Sequence, residues 1–361
     1  MKEPKNPPIR QVHLLGGLRA YDVPRQGVEV GQDRIQYFKF DNVPYHHLYS
    51  VLEKMNLTPI GVNYIESREQ REGTHPTNFE MIGPKGSTAM RSMQEWNNIA
   101  FAQRKKNDFK VVSVASRIAT YLKLLSRRLF QVSEAYYNMS REPRIEAMNG
   151  ISIIDNGFNN LWSWELQTTI HGFLADAATL RDILAEAVWK LIMENHDDTV
   201  LTMGRLMKEA KNEKGLFIKA FIELGKDGNW LKDLTEIRNE TTHVVPVNDF
   251  HETFSCYIRE VRHNDKPLAL IMHCPLTTDT WGLRKDAIRD ANFSDETQAK
   301  DALRHHKEYV KNSGDALEYC WRTLQRFAEW SEKIRVEAKL KANIPVIDMS
   351  AFPEASVKLN P

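Results

Sequence analysis

The sequence predicts a mostly helical protein: a helical bundle with an inserted β-hairpin, preceded by a small N-terminal α+β unit. Two observations carry this expectation. From about Lys110 onward, apolar residues recur every three or four positions through long stretches, as they do where helices bury one face. Before residue 88, short alternating segments are punctuated by Gly73, Pro76, Gly83, Pro84 and Gly86, the pattern of strands and turns. A chain of 361 residues exceeds the usual size of one domain. The expected division is 1–88 for the α+β unit, 89–342 for the helical domain with its hairpin at about 251–276, and 343–361 for an extended tail.

The first 30 residues, rich in Pro and Gly without a clear period, read as an extended arm or loop. Strand-like segments follow at Arg34–Phe40, Thr58–Ile65 and Phe79–Ile82, with a turn of amphipathic helix from about Tyr45 to Met55. A long helix is expected from Lys110 to Asn138, its buried stripe being Val111, Val114, Ile118, Leu122, Leu125, Leu129, Val132 and Tyr136. After a loop from Arg144 to Phe158, a second runs from Asn160 to Glu194. Its apolar surface, widened by Trp164, Phe173, Leu180 and Ala187, is broad enough for more than one neighbour. Shorter helices are expected at Val200–Lys211, Gly215–Leu224 and Asn229–His243, the last one N-capped by Asn229. Thr253–Arg262 and Leu268–Cys274 form the hairpin, and one final helix spans Asp295–Lys339 with a possible kink at Gly314.

Composition narrows the function. A formal net charge of +1 argues against a surface that is basic throughout, so any polyanion must be met locally. Arg104, Lys105, Lys106, Lys110, Arg117, Lys123, Arg127 and Arg128 face Asp108 alone until Glu134, and fit either a solvated helix face or an RNA-backbone surface in which Lys105, Lys106, Arg127 and Arg128 take part. Three scattered cysteines, Cys256, Cys274 and Cys320, indicate neither a disulfide framework nor a thiolate metal site, which fits a reducing cytoplasm. The longest apolar run, Pro267–Leu276, is about half of a membrane span, so no membrane partner is expected. No Walker loop, Gly-x-Gly-x-x-Gly or Gly-x-Ser-x-Gly is present. His196-Asp197-Asp198 reads as a helix-end cap, His171 as a packing histidine beside Asp176, and the pairs His46-His47 and His305-His306 as exposed positions. No metal or other cofactor is expected. The eight tryptophans fall mostly at core spacings.

One stretch carries chemistry. In Asn229–His243, Asn239 and His243 are four residues apart and share a helix face, and Arg238 stands one step round with a side chain long enough to join them. Arginine keeps its proton and its planar fork suits a phosphate. Histidine exchanges a proton near neutral pH, and at a helix C-terminus the macrodipole favours its protonated form. RNA brings its own nucleophile, the 2′-hydroxyl, so a base, an acid and a cation for the developing charge suffice without metal. Arginine followed after four to six residues by histidine recurs at Arg68–His75, but in a loop and without the asparagine. The same residues also fit a plain surface, with Arg238 paired to Glu236 or Glu240 and His243 capping the helix.

Arg238-Asn239-Glu240-Thr241-Thr242-His243, set among long helices from about Lys110 to Lys339, resembles the motif of HEPN domains. These are helical bundles whose catalytic members carry Arg-x4-6-His with a polar residue after the arginine. The first 85 or so residues and the hairpin lie outside the resemblance. It implies a metal-independent endoribonuclease with Arg238 and His243 catalytic, Asn239 orienting the histidine or the phosphate, and two motifs meeting across a homodimer. It further implies a toxin or antiphage-defence role, with an antitoxin or inhibitor protein as a possible partner. The alternative within the same fold is a non-catalytic adaptor or sensor that binds a protein or nucleic acid.

Overall fold

Helix α4 (Phe109–Met139) is the longest of the described helices and packs against α3 (Ala89–Arg104), α6 (Ser163–Ala187) and α11 (Ala316–Glu337). Asp108 caps it, its carboxylate accepting from the Val111 amide at 3.2 Å, and the buried stripe from Val111 to Tyr136 is the one its spacing predicts. Each fully buried leucine on that stripe stabilises the fold by about 1.5–3 kcal/mol. The computed structural model describes residues 9–23, 27–32, 35–40, 47–65, 67–71, 77–82, 89–148, 157–195, 197–243, 255–276 and 294–342. Within them the chain is mostly helical. Besides α4, the described helices are α1 (Leu48–Lys54), α2 (Arg68–Arg71), α3 (Ala89–Arg104), α5 (Arg141–Met148), α6 (Ser163–Ala187), α7 (Met203–Glu209), α8 (Leu216–Glu223), α9 (Trp230–His243), α10 (Glu296–Asn312) and α11 (Ala316–Glu337).

Helices α3, α4, α6 and α11 pack on one another as a four-helix core. Two ion pairs, Arg117 to Glu186 at 2.6 Å and Arg128 to Asp176 at 2.9 Å, show that α4 and α6 run antiparallel, because the residue numbers rise along one and fall along the other. The broad apolar surface expected of α6 does meet several neighbours: α4, α9 and α11. The residues that continue it, Val188–Ile192, form a π turn, which Asp197 and Asp198 fasten by accepting from the Trp189 indole at 2.9 Å and from Lys190 at 2.6 Å. His196 lies outside the described residues. Helices α8 and α9 lean on α11 through aromatic edges, Phe221 on Trp330 at 5.5 Å and Trp230 on Phe327 at 5.0 Å between centroids.

The expectation of an arm in the first 30 residues is overturned. Residues 9–32 contribute β1 (Ile9–Leu14), β2 (Arg19–Val23) and β3 (Gly27–Gln32) to a six-stranded antiparallel sheet with β4 (Ile35–Phe40), β5 (Pro59–Ile65) and β6 (Phe79–Met81), in the order β4-β3-β2-β1-β5-β6. The strands are hard to read because β1 and β2 bury polar side chains, Arg10, His13 and Arg19, among their apolar ones. Gly16 and Gly17 belong to the turn between them, with φ of 71° and 80°. A Cβ on Gly16 would stand 2.4 Å from the Ile271 side chain and one on Gly17 would stand 3.0 Å from Tyr136, so glycine is required for conformation and for space alike.

Two further expectations change. Helix α5 occupies the start of the stretch read as a loop from Arg144. The final helix is two, α10 and α11, rather than one kinked rod. At their junction the chain leaving the hairpin pairs with the break: Leu276 donates to the Gly314 carbonyl at 2.8 Å and Ala316 to that of Cys274 at 2.9 Å. Asp315 then caps α11 by accepting from the Glu318 amide at 3.0 Å. The hairpin itself, β7 (Tyr257–His263) and β8 (Lys266–His273), turns at Asn264-Asp265, and its Val261 and Ala269 join Val12, Leu14 and Leu52 in a second apolar core.

Candidate functional site

Helix α9 begins where the Asn229 carbonyl accepts from the Lys232 and Asp233 amides, both at 3.0 Å, directly after Gly228 with φ of 78°. Leu231, Leu234 and Ile237 recur on one side of the helix and are buried in the main core. This fixes the rotation of the helix about its axis. Arg238, next to Ile237, is therefore half-buried, and Asn239, a further 100° round, is exposed. Arg181 of α6 fastens α9 by donating to Thr235 Oγ1 at 2.6 Å while it pairs with Asp182 at 2.9 Å. Thr235 lies one turn before Arg238, so the motif stands beside its anchor.

Arg238 Nη1 donates to Asn239 Oδ1 at 3.1 Å, which joins the first two motif residues directly. Of the two carboxylates expected near Arg238, Glu236 is engaged by Lys232 at 3.1 Å, and the side chain of Glu240 lies outside the described residues. The backbone of His243 is the last residue of α9, and the side chains of residues 240–243 lie outside those described. Arg238 and Asn239 thus form a guanidinium and amide pair on one ledge, with the helix continuing one turn to the histidine position. A guanidinium of this kind can meet a phosphate oxygen, and the amide can hold either the guanidinium or a hydroxyl.

The four expected RNA-binding cations do not form a single surface. Lys105 and Lys106 are exposed in the turn that follows α3, Lys105 lying over the Phe101 ring at 4.7 Å. Arg127 and Arg128 are mid-α4 and point apart: Arg127 stacks over Phe130 at 4.7 Å, whereas Arg128 crosses Gly172 to reach Asp176. Arg128 serves the contact between helices. Asp176 is accordingly taken, and half-buried His171 has its pKa lowered by desolvation. Trp162 and Trp164 also depart from the core reading, since Trp164 is 73% exposed beside Leu161 at 93%. His305 stands 3.9 Å from Glu308, and His47 is exposed at the start of α1.

Two buried polar clusters escaped the sequence. His13, fully buried, places Nδ1 3.0 Å from Ser133 Oγ and Nε2 2.6 Å from Asn63 Oδ1. Burial, with the nearby Arg19 guanidinium, lowers its pKa well below the ordinary value. Although serine, histidine and asparagine are the types used in nucleophilic catalysis, His13 and Ser133 are sealed from solvent, and the cluster joins β1 and β5 to α4. In the second cluster Tyr136 donates to Asp315 Oδ2 at 3.0 Å and accepts from the Leu317 amide at 3.0 Å. His273 lies 3.6 Å from Asp315 and 3.0 Å from Ser313 Oγ. Desolvation raises Asp315 to about 6 and lowers His273 to about 3. Among the described residues no three His, Cys, Asp or Glu side chains converge as a metal-ligand set, and no helix is long and apolar enough to cross a membrane.

Compared with protein-family models, curated proteins and solved structures, the chain matches none.

Proposed function

We propose that the chain is a metal-independent endoribonuclease of the HEPN kind, acting as a homodimer in the cytoplasm as a toxin or antiphage effector, with an antitoxin or inhibitor protein as its natural restraint. The observation that carries this reading is the bonded pair of Arg238 and Asn239 on α9, one turn before His243, on a helix anchored through Arg181 to a four-helix core. In the proposed reaction the 2′-hydroxyl of RNA attacks the adjacent phosphorus as a base removes its proton. The bond to the 5′-oxygen breaks, and an acid protonates that leaving oxygen. His243 supplies proton transfer, Arg238 stabilises the charge developing on the phosphate, and Asn239 holds the arginine or the phosphate. One protomer offers one such histidine, whereas attack and departure call for two proton-transfer groups, so two α9 ends facing one another complete the site.

Purified protein incubated with total RNA should produce fragments that disappear in Arg238→Ala and His243→Ala. Cleavage that survives both substitutions would refute the site. A second reading, a non-catalytic adaptor, is favoured by the exposed run Leu161, Trp162 and Trp164, an apolar surface of the kind that meets a partner. Absence of cleavage by the wild type would favour it.

A further inference from the structure

The fold sorts the cations of α4 onto different faces. Arg117 and Arg128 are spent on Glu186 and Asp176 of α6. Lys123 and Arg127, one turn apart and both exposed, have no carboxylate within ion-pair distance among the described residues. They stand at a cleft of about 120 Å³ between α3, α4 and the chain entering β6. Phe79, Met90 and Met93 supply its apolar walls, and Asn78 and Ser126 its neutral polar groups. The Phe79 wall is rigid, held by the edge of His13 at 5.1 Å and by Phe130 at 5.4 Å, and Phe130 in turn carries the Arg127 guanidinium.

Two uncompensated cations beside a small apolar slot call for an anion attached to a flat apolar body. The slot is well below the roughly 300–1,000 Å³ of sites for drug-sized ligands and close to the roughly 150 Å³ that holds a single benzene ring, so it takes one base at its open mouth and excludes a dinucleotide. The arginine fork and the lysine suit a phosphate, methionine sulfur and the Phe79 ring suit a base, and an amide with a hydroxyl can meet its edge. We propose that this cleft holds one nucleotide of an RNA strand, its phosphate on Lys123 and Arg127 and its base against Phe79, Met90 and Met93. The choice of RNA as the source of that nucleotide rests on the ribonuclease reading.

The test is calorimetric titration of the full chain carrying His243→Ala, which prevents turnover, with adenosine and uridine 5′-monophosphates, inorganic phosphate, adenosine, and a labelled 12-nucleotide single-stranded RNA. A nucleoside monophosphate should bind at least about tenfold more tightly than phosphate or nucleoside alone. Lys123→Gln/Arg127→Gln, both at exposed positions, should weaken mononucleotide and RNA alike by about tenfold or more. Unchanged mononucleotide affinity in the double variant overturns the proposal, as does phosphate binding equal to that of the nucleotide. The two readings fail separately. RNA cleavage by the wild type with no nucleotide bound at the cleft removes the subsite and keeps the nuclease. Nucleotide binding lost in the double variant, together with no cleavage by the wild type, keeps the subsite and removes the nuclease.

Discussion

His13 and His273 are held neutral inside the protein, and this makes stability depend on pH. Each has a folded pKa below its unfolded value of about 6.5, His273 near 3, so unfolding takes up a proton at each as pH falls below that value. Asp315 acts in the opposite direction. Its folded pKa, near 6, exceeds its unfolded value of about 3.9, so unfolding releases one proton between those limits. Uptake at the two histidines opposes and outweighs the release at Asp315, so stability should fall as pH is lowered from 7 towards 5. Urea denaturation between pH 7 and 5 measures this, and a flat profile would contradict the buried neutral histidines. At the candidate site, Arg238→Ala and His243→Ala should each lower RNA cleavage by about 10²-fold or more, and Asn239→Ala by less, in initial-rate assays. The contact between Arg238 and Asn239 was legible because adjacent helix positions bring a long and a short polar side chain together, and on α9 Arg238 does donate to Asn239. The partners of His13 were not, since Asn63 and Ser133 are 50 and 120 residues away and only the packing of sheet on helix joins them.

Elements with a strong period were legible, and those whose identity depends on distant neighbours were not. Helix α4 could be placed to within a residue at each end because its apolar stripe is continuous; the hairpin could be recognised because its strands flank a polar turn, although β7 starts later and β8 earlier than their alternation suggests. Strands β1 and β2 were missed because Arg10, His13 and Arg19 interrupt the apolar alternation, and their partners lie in other elements: Arg10 pairs with Asp22, and Arg19 with Glu134 at 2.8 Å. The division of α10 from α11 depends on Asp315, whose role needs the hairpin exit and Tyr136 as well as its own helix. Asp315→Ala removes a cap and leaves the Cys274 and Glu318 amides without their acceptor, and should cost about 1–3 kcal/mol, read as a lowered urea midpoint. At the hairpin turn both Asn264 and Asp265 have positive φ, 50° and 60°, as a type I′ turn demands. Asp265→Gly should relieve part of that strain and raise stability by about 0.5–1 kcal/mol, seen as a higher melting temperature.

For the whole molecule, the mostly helical architecture was legible, whereas the way its surface is apportioned was not. A continuous run of cations in the sequence becomes, once folded, one set that ties α4 to α6 and another that borders a cleft, because helix rotation decides which charges meet carboxylates. In the same way tryptophans 162 and 164, at spacings that suited a core, stand in solvent at the start of α6. A homodimeric ribonuclease predicts a solution mass near twice 41.8 kDa by light scattering, and a fully active monomer would contradict a site shared between two protomers. The chemistry can be read from its products. On the proposed mechanism, wild-type protein incubated with a defined RNA in excess EDTA should leave 2′,3′-cyclic phosphate and 5′-hydroxyl ends, and His243→Ala should leave the RNA intact. Ends bearing 3′-hydroxyl and 5′-phosphate, or cutting that requires a divalent cation, would contradict it.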